Sequence, residues 1–375
     1  MSRIYRKNSK FNNIFMPIIL VIVIAFLLAC ATRIERKHQA AAANLQEIAY
    51  EEYVAKKTLE EKDSFYQKLA DGFDVNILVA GDSIGANSGV SNANARWTTL
   101  LQKHLRNEYG VSGLITNVSI GGGTAYTDYV RVKNLQNNKE YDLAILCCGQ
   151  NDKLKDFGVR YEALIRAIRN QNEKCSIIAI LESSQKGYTE KMNIIKELSV
   201  HYGIAVADTI APFTDGSNGD YSTLTTDGVH PNDKGYTIYA QTIQKTIDEA
   251  VKQYKEYDYS EIPTVYEGVN DFDNFKYISA KDFVRDESTF TYKLDSVISG
   301  ICGIDYAFVS GQNSCKIFID GVEFAAPESY FDYDFTQRKI IVLSTDFITV
   351  NSTIVVSFTD EEQANNFNGI CFSWK

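Results

Sequence analysis

The chain is poor in proline and in positive charge. Only 5 of its 375 residues are proline, and no internal repeat or low-complexity tract is evident, which is typical of a folded globular protein. Lysine and arginine number 38 against 48 aspartate and glutamate, so the net charge is -10. A protein that binds nucleic acid irrespective of sequence needs excess cations to neutralise phosphates. The negative net charge therefore excludes sequence-independent binding of nucleic acid.

The chain also lacks cysteines with the spacing of a metal site. Cys147 and Cys148 are adjacent in an apolar run, which favours small core residues over zinc ligands. Cys302, Cys315 and Cys371 lie in the C-terminal region. An extracellular location would permit one disulfide there, and the sequence leaves its pairing open.

One segment is apolar throughout. Residues 14–31 read IFMPIILVIVIAFLLACA, and about 18 to 20 such residues suffice to cross the hydrocarbon layer. Basic residues at positions 3, 6, 7 and 10 favour a cytoplasmic N-terminus and an extracellular remainder, a bias that basic residues at 33, 36 and 37 weaken. The run LLAC also resembles a bacterial lipobox, so a lipidated Cys30 and an uncleaved transmembrane helix stay open. Both alternatives make residues 1–32 a membrane tether.

Three regions follow the tether. Residues 33–72 are rich in Ala, Glu, Lys and Gln without proline, which predicts a helical stalk, although its tyrosines and leucines could pack on the next domain. In residues 73–255, short apolar runs alternate with amphipathic stretches, which predicts an α/β domain with a parallel sheet covered on both faces. The predicted strands are Val75–Ala80, Leu114–Ile120, Leu143–Cys148, Ser176–Leu181 and Ile204–Ala207, and the predicted helices are 93–108, 161–170, 190–201 and 233–254.

Residues 260–375 are dense in Tyr, Phe, Thr and Val and contain period-2 runs. Asp320-Gly321 separates the runs 315–319 and 322–324, which is a hairpin signal, and 338–343 and 353–358 indicate further strands. This region is predicted to be a small all-β sandwich. Its tyrosines could bind carbohydrate or form cross-strand and core pairs.

Two motifs follow the first two predicted strands. Gly81-Asp82-Ser83-Ile84-Gly85 places a serine at the carboxyl end of a strand, where open α/β sheets bind their ligands. Residues 117–123, NVSIGGG, form a glycine-rich turn. Such a turn can offer an unhindered backbone N–H to a developing oxyanion, or can simply connect a strand to a helix.

Two further motifs lie later in the chain. Gly149-Gln150-Asn151-Asp152 ends the third strand, where the Asn151 amide can donate a hydrogen bond without bringing charge, or can cap a helix. Asp227 and His230 lie three residues apart before the last predicted helix, as a base and its orienting carboxylate require. The other three histidines are predicted to lie in the stalk (His38) or in helices, as surface or packing residues (His104 and His201).

In this order the motifs resemble the SGNH (GDSL-type) hydrolase superfamily, whose blocks are GDS(L), a glycine, GxND and DxxH. Isoleucine replaces the usual leucine after the serine. The resemblance covers roughly residues 73–254 and implies a flavodoxin-like three-layer α/β/α domain. It implies that Ser83 is the nucleophile, His230 the general base and Asp227 its orienting partner. The Ser83 N–H, the Gly122 N–H (with Gly121 as the alternative) and the Asn151 amide would form the oxyanion hole.

The implied activity is that of a serine esterase that needs no metal or cofactor. An extracellular tether and an added β domain favour removal of acetyl or other short acyl groups from carbohydrate. An O-acetyltransferase acting on cell-surface polysaccharide, a lipid esterase and a catalytically inert binding protein stay open. The sequence indicates neither the acyl group nor the oligomeric state.

Overall fold

The computed structural model describes residues 20–39, 41, 48, 64–135, 139–253, 262–308, 311–312, 315–324, 332–333 and 337–375. The chain divides into two compact units, Met1–Lys62 and Asp63–Lys375. In the first unit, residues 20–39 form a helix. Residues 14–19 of the predicted membrane segment, and most of the predicted stalk, lie outside the described residues. Within the described ranges, no helix has the length and apolar content that a membrane crossing requires, and the tether stays a prediction.

The second unit begins with a parallel sheet of five strands in the order β2-β1-β3-β4-β5, which is a flavodoxin-like order. The strands are β1 (Val75–Gly81), β2 (Gly113–Asn117), β3 (Leu143–Cys147), β4 (Ser176–Leu181) and β5 (Ala205–Asp208). All five predicted strands are present, with ends displaced by a few residues. Because the strands are parallel, their carboxyl ends meet at one edge of the sheet.

Helices cover both faces of this sheet. They are α1 (Phe65–Ala70), α2 (Trp97–His104), α3 (Ala125–Lys133), α4 (Leu154–Gln171), α5 (Glu190–Tyr202), α6 (Ile210–Ser217) and α7 (Asp233–Gln253), with single turns at Ala93–Ala95, Leu105–Tyr109, Ser183–Gln185 and Tyr221–Thr223. Helices α3 and α6 were not predicted, and the helix predicted at 93–108 is divided into three pieces. Helix α3 begins at a clear cap, since the Thr124 side chain accepts a hydrogen bond from the Thr127 N–H.

The strands alternate between two hydrophobic layers. Leu78 and Ala80 of β1 pack with α3, α4 and α5, whereas Ile77 and Val79 pack with α1, α2 and α7. This alternation follows from the two-residue repeat of a strand. Helix α1 falls within the predicted stalk, yet Phe65 is fully buried in the second layer, so the end of that segment belongs to the α/β domain.

The C-terminal domain consists of antiparallel strands. They are β6 (Asn274–Ser279), β7 (Val284–Asp286), β8 (Thr289–Lys293), β9 (Ile298–Phe308), β10 (Gly311–Gln312), β11 (Cys315–Ile319), β12 (Val322–Phe324), β13 (Asp332–Tyr333), β14 (Gln337–Val342), β15 (Ile348–Val350), β16 (Thr353–Phe358) and β17 (Phe367–Trp374), with a short helix α8 (Glu361–Ala364) and single turns at Val269–Phe272 and Ala280–Asp282. The sheets β12-β11-β16-β8-β7 and β14-β9-β17-β6 share one apolar core. The hairpin predicted at Asp320-Gly321 is confirmed, because Ile319 pairs with Val322.

The two domains share a buried junction along α3. The hydroxyl of Tyr129 donates to the Phe272 carbonyl at 2.7 Å, and that of Thr127 donates to the Ile340 carbonyl at 3.3 Å. Ile340 of β14 and Cys371 of β17 belong to the same apolar cluster as α3, α4 and α5. The junction therefore holds β14 close to the carboxyl edge of the parallel sheet.

The cysteines are all free thiols. Cys302 and Cys371 are buried on the neighbouring strands β9 and β17, where Cys302 pairs with Phe372. Burial raises the pKa of the Cys302 thiol. Cys302 packs in the core of the β domain, and Cys371 packs in the cluster that this domain shares with α3.

Helix α4 contains a glycine whose small size admits a ring from the segment that connects the domains. A Cβ at Gly158 would lie 2.6 Å from the ring of Tyr266. Alanine is favoured over glycine in a helix by about 1 kcal/mol, but we expect Gly158→Ala to lower the free energy of unfolding by about 1–3 kcal/mol because of this clash. Urea denaturation would measure the change.

A double variant tests the cause of this loss. Tyr266→Ala removes the ring, so Gly158→Ala in that background should be neutral or stabilising. Gly187→Ala is the matched control, because the space around a Cβ there is open. Equal losses with and without Tyr266 would contradict the prediction.

Candidate active site

The predicted site residues meet at the carboxyl edge of the parallel sheet. Ser83 follows β1, the glycine-rich turn follows β2, and Asn151 follows β3. Asn117 at the end of β2 donates its side-chain amide to the Gly85 carbonyl at 2.8 Å, which joins the first two turns. A cavity of about 580 Å³ opens here, lined by residues of these turns, by His230 and by the start of β14.

Ser83, His230 and Asp227 form a continuous chain of hydrogen bonds. The His230 Nε2 atom lies 2.9 Å from the Ser83 Oγ atom, and the His230 Nδ1 atom lies 2.6 Å from Asp227 Oδ2. The other Asp227 oxygen accepts the backbone N–H groups of Val229 at 3.0 Å and His230 at 2.8 Å. The three-residue spacing thus forms a closed turn in which the carboxylate fixes the imidazole. Such a chain can take the proton of a serine hydroxyl.

Asp227 is held in its charged form. Partial burial raises its pKa, but hydrogen bonds from the His230 side chain and from two backbone N–H groups outweigh burial and lower the pKa to about 2. The carboxylate stays half exposed, with 52% of its side chain accessible. It is therefore ionised at any pH near neutrality and can stabilise an imidazolium at His230.

Two backbone N–H groups are available to an oxyanion. Among the described residues, neither the Ser83 N–H nor the Gly122 N–H donates a hydrogen bond within the chain. Gly122 adopts φ +66, and a Cβ there would lie 2.5 Å from the Gln337 amide. The positive φ favours glycine at this position, whereas the flexible end of the Gln337 side chain could move away from a Cβ. The N–H groups of Ser83 and Gly122 can thus serve a developing negative charge without competition.

The Asn151 amide is placed at the site but is already engaged. Its Nδ2 atom donates to Asp82 Oδ2 at 3.0 Å and to the Gly123 carbonyl at 3.1 Å. Both amide hydrogens are thereby used, so donation to a substrate oxygen requires that one of these bonds be exchanged. The neighbouring Asp152 accepts the Ala125 N–H at the start of α3, and burial raises its pKa to about 6.

The two other histidines of the second unit have partners of their own. The His104 ring lies 2.8 Å from Asp248, and the His201 ring 2.7 Å from the Pro263 carbonyl. His38 lies exposed in the N-terminal helix. Of the three histidines in the second unit, only His230 is hydrogen-bonded to Ser83.

Strand β14 of the C-terminal domain supplies one wall of the cavity, which the sequence did not predict. Gln337, Arg338 and Lys339 line it. The Arg338 guanidinium is fixed by two hydrogen bonds to Asp305 on β9, at 2.9 and 2.7 Å. No local pattern in the sequence connects these residues to the motifs, because a separate domain carries them.

Two carboxyls and a thiol are buried beneath the serine turn. Asp82, Cys147 and Glu182 have side-chain ligand atoms within 4.8 Å of one another. Within the described ranges this is the one group whose spacing a metal ion could bridge, although Asp82 and Glu182 already accept hydrogen bonds from the N–H groups of Ile84 and Gln150. Glu182 was also missed, although an acidic residue directly after the apolar strand β4 is a usable signal.

Comparison with known proteins gives a family and a similar fold. Residues 79–238 match the GDSL-like Lipase/Acylhydrolase family. The structure of a two-domain esterase (CEX) active on acetylated mannans is similar at a TM-score of 0.67 and 17% identity, over 86% of this chain and 95% of that chain. That esterase co-crystallized with mannopentaose is similar at a TM-score of 0.65 and 18% identity, with the same coverage. No curated protein matches.

The hydrogen-bond chain predicts how Ser83 reacts with a fluorophosphonate probe. Asp227→Asn retains the size of the side chain but removes the charge that stabilises the imidazolium. We expect the labelling rate of Ser83 to fall on the order of 10²–10⁴-fold. Mass spectrometry of the labelled peptide over time measures this rate.

Asp220→Asn is the matched control. Its carboxylate is exposed and accepts only from Ser222 within the described contacts. The labelling rate of this variant should equal that of the wild type. Equal rates in the Asp227 variant and in this control would contradict a role for Asp227.

Proposed function

We propose that the protein is a serine esterase that removes acetyl or other short acyl groups from carbohydrate, because residues 79–238 match the GDSL-like lipase/acylhydrolase family, as the four motifs predict. The observation that carries this proposal is the hydrogen-bond chain from Asp227 through His230 to Ser83. It ends in a cavity open to a substrate, beside two free backbone N–H donors.

The proposed reaction is an acyl transfer in two steps. His230 accepts the Ser83 proton through Nε2 as the oxygen attacks the ester carbonyl, and the N–H groups of Ser83 and Gly122 stabilise the oxyanion. His230 then protonates the departing alcohol, which leaves an acyl group on Ser83. Water activated by His230 releases the acid in the second step. Asn151 joins the oxyanion hole when it exchanges one of its present partners.

Two observations support a carbohydrate substrate. The solved structure similar over both domains is described as an esterase active on acetylated mannans. Gln337, Arg338 and Lys339 line the cavity, and side chains of these types can hydrogen-bond sugar hydroxyls. We propose that the β domain contacts the glycan while the α/β domain holds the ester.

We also propose that the N-terminal segment tethers the enzyme to the membrane with its catalytic domain outside. The apolar run of residues 14–31 and the basic residues before it support this location. Fractionation of the full chain would test it, since recovery in the fraction washed free of membranes would contradict a tether.

Turnover of p-nitrophenyl acetate and of acetylated mannan tests the proposed activity. Ser83→Ala should lower kcat by about 10⁴-fold or more and abolish fluorophosphonate labelling, because no other hydroxyl contacts the His230 ring among the described residues. Acetate release is measured directly. The matched control Ser112→Ala alters an exposed serine just before β2, at the opposite end of the strand from the site, and should retain full activity.

The same assay separates hydrolysis from transfer. Acetate release in water without a sugar acceptor supports the esterase, whereas slow release that gives way to acceptor-dependent acetylation supports an acetyltransferase. Wild-type turnover in Ser83→Ala would refute both. Absence of labelling in the wild type would favour an inert binding protein.

A further inference from the structure

Beneath the catalytic turn lies a pair of buried carboxyls that the proposed reaction does not use. Asp82 precedes Ser83 and is fully buried, and Glu182 follows β4 with 1% of its surface exposed. A side-chain oxygen of Asp82 lies within 4.8 Å of one of Glu182. Carboxyls are rarely buried without a cation or a proton to neutralise them. Both carboxyls lie directly behind the site.

Each carboxyl also holds a different part of the site. Asp82 accepts the Ile84 N–H at 2.8 Å and the Asn151 side-chain amide at 3.0 Å. Glu182 accepts the Gln150 N–H at 3.3 Å and the Cys147 thiol at 3.4 Å. The pair therefore connects the turn that carries Ser83 with the turn that carries Asn151.

We propose that Glu182 is a positioning residue for the proposed esterase: it shares a proton with Asp82, and this bridge fixes the Asn151 turn against the Ser83 turn. The inference rests on the proposed function. A shared proton allows two carboxyls to hydrogen-bond in a site that could not hold both as anions. Loss of the proton would leave adjacent negative charges that repel, which would separate the two turns and oppose an oxyanion above them.

The surroundings favour retention of a proton. Burial raises the pKa of Glu182 to about 7, and burial together with the charge of Glu182 raises the pKa of Asp82. The acidic groups that face the pair are thiols, phenols and two further carboxyls, namely Cys147, Cys148, Tyr161, Tyr236, Tyr239, Asp128 and Asp152. The nearby cations act on those two carboxyls: Arg131 on Asp128, and Lys191 and Arg160 on Asp152.

Replacement of Glu182 separates positioning from simple packing. Glu182→Ala removes the bridge, and we expect kcat for p-nitrophenyl acetate to fall about 10- to 100-fold with little change in KM, because the donors are misplaced rather than lost. Glu182→Gln can still accept the Gln150 N–H and donate to Asp82, so it should restore most of kcat. A kcat unchanged in Glu182→Ala would overturn the inference.

The dependence of kcat on pH distinguishes a shared proton from a packing role, because a packing role alone would leave this dependence unchanged. In the wild type, kcat should fall at alkaline pH as the pair loses its last proton. Glu182→Gln has no such proton to lose, so this alkaline limb should move upward or vanish. The matched control is Glu162→Gln, which alters a fully buried glutamate that accepts the N–H groups of Val265 and Tyr266. This control should lower stability and leave the alkaline limb in place.

The raised pKa of Glu182 also predicts a pH-dependent stability. Glu182 has an ordinary pKa of 4.5 and a folded pKa of about 7, so the folded protein keeps a proton that the unfolded chain loses between these values. Its contribution to the free energy of unfolding is therefore greatest below pH 4.5 and falls as pH rises toward 7. The difference in free energy of unfolding between wild type and Glu182→Gln, measured in urea, should fall over this interval.

These experiments distinguish failure of the proposed function from failure of the inference about Glu182. Absence of turnover and of Ser83 labelling in the wild type would refute the proposed function, even if the stability difference follows pH as stated. Normal wild-type turnover, with the same alkaline limb in Glu182→Gln and a stability difference constant with pH, would refute the inference alone.

Discussion

The parallel direction of the five strands is the constraint on which the site depends. It brings the carboxyl ends of β1, β2, β3 and β4 to one edge of the sheet, so residues that are distant in the chain become neighbours. Ser83, Gly122, Asn151 and Glu182 each follow one of these strands directly or within a short turn. His230 comes from the loop before α7 and faces the same edge. The order and direction of the strands are therefore enough to bring these residues together.

The C-terminal domain packs next to this edge and contributes residues to the cavity. Tyr129 and Thr127 of α3 donate to backbone carbonyls of the β domain, and Ile340 enters the apolar cluster of the α/β domain. The resulting contact positions Gln337 against Gly122. A substrate in the cavity therefore meets both domains, and we expect the β domain to influence which esters are accepted.

Charge is arranged differently on the two sides of the serine. On the open side, the half-exposed Asp227 is stabilised as an anion by His230 and two N–H groups, with a pKa lowered to about 2. On the buried side, desolvation raises the pKa of Glu182 to about 7. The same chemical group thus serves as a fixed charge in one place and as a proton carrier in the other, because solvent reaches only one of them.

The sequence alone determined the five strands, the hairpin at Asp320-Gly321 and the four motifs, because two-residue periodicity, turn chemistry and strand ends are local properties. It also singled out His230 from four histidines. Only the tertiary structure decided that α1 packs on the α/β domain, that both hydrogens of the Asn151 amide are engaged, and that Gln337 and Glu182 border the site. These depend on which distant segments come together, and packing between domains leaves no periodic signal in the chain.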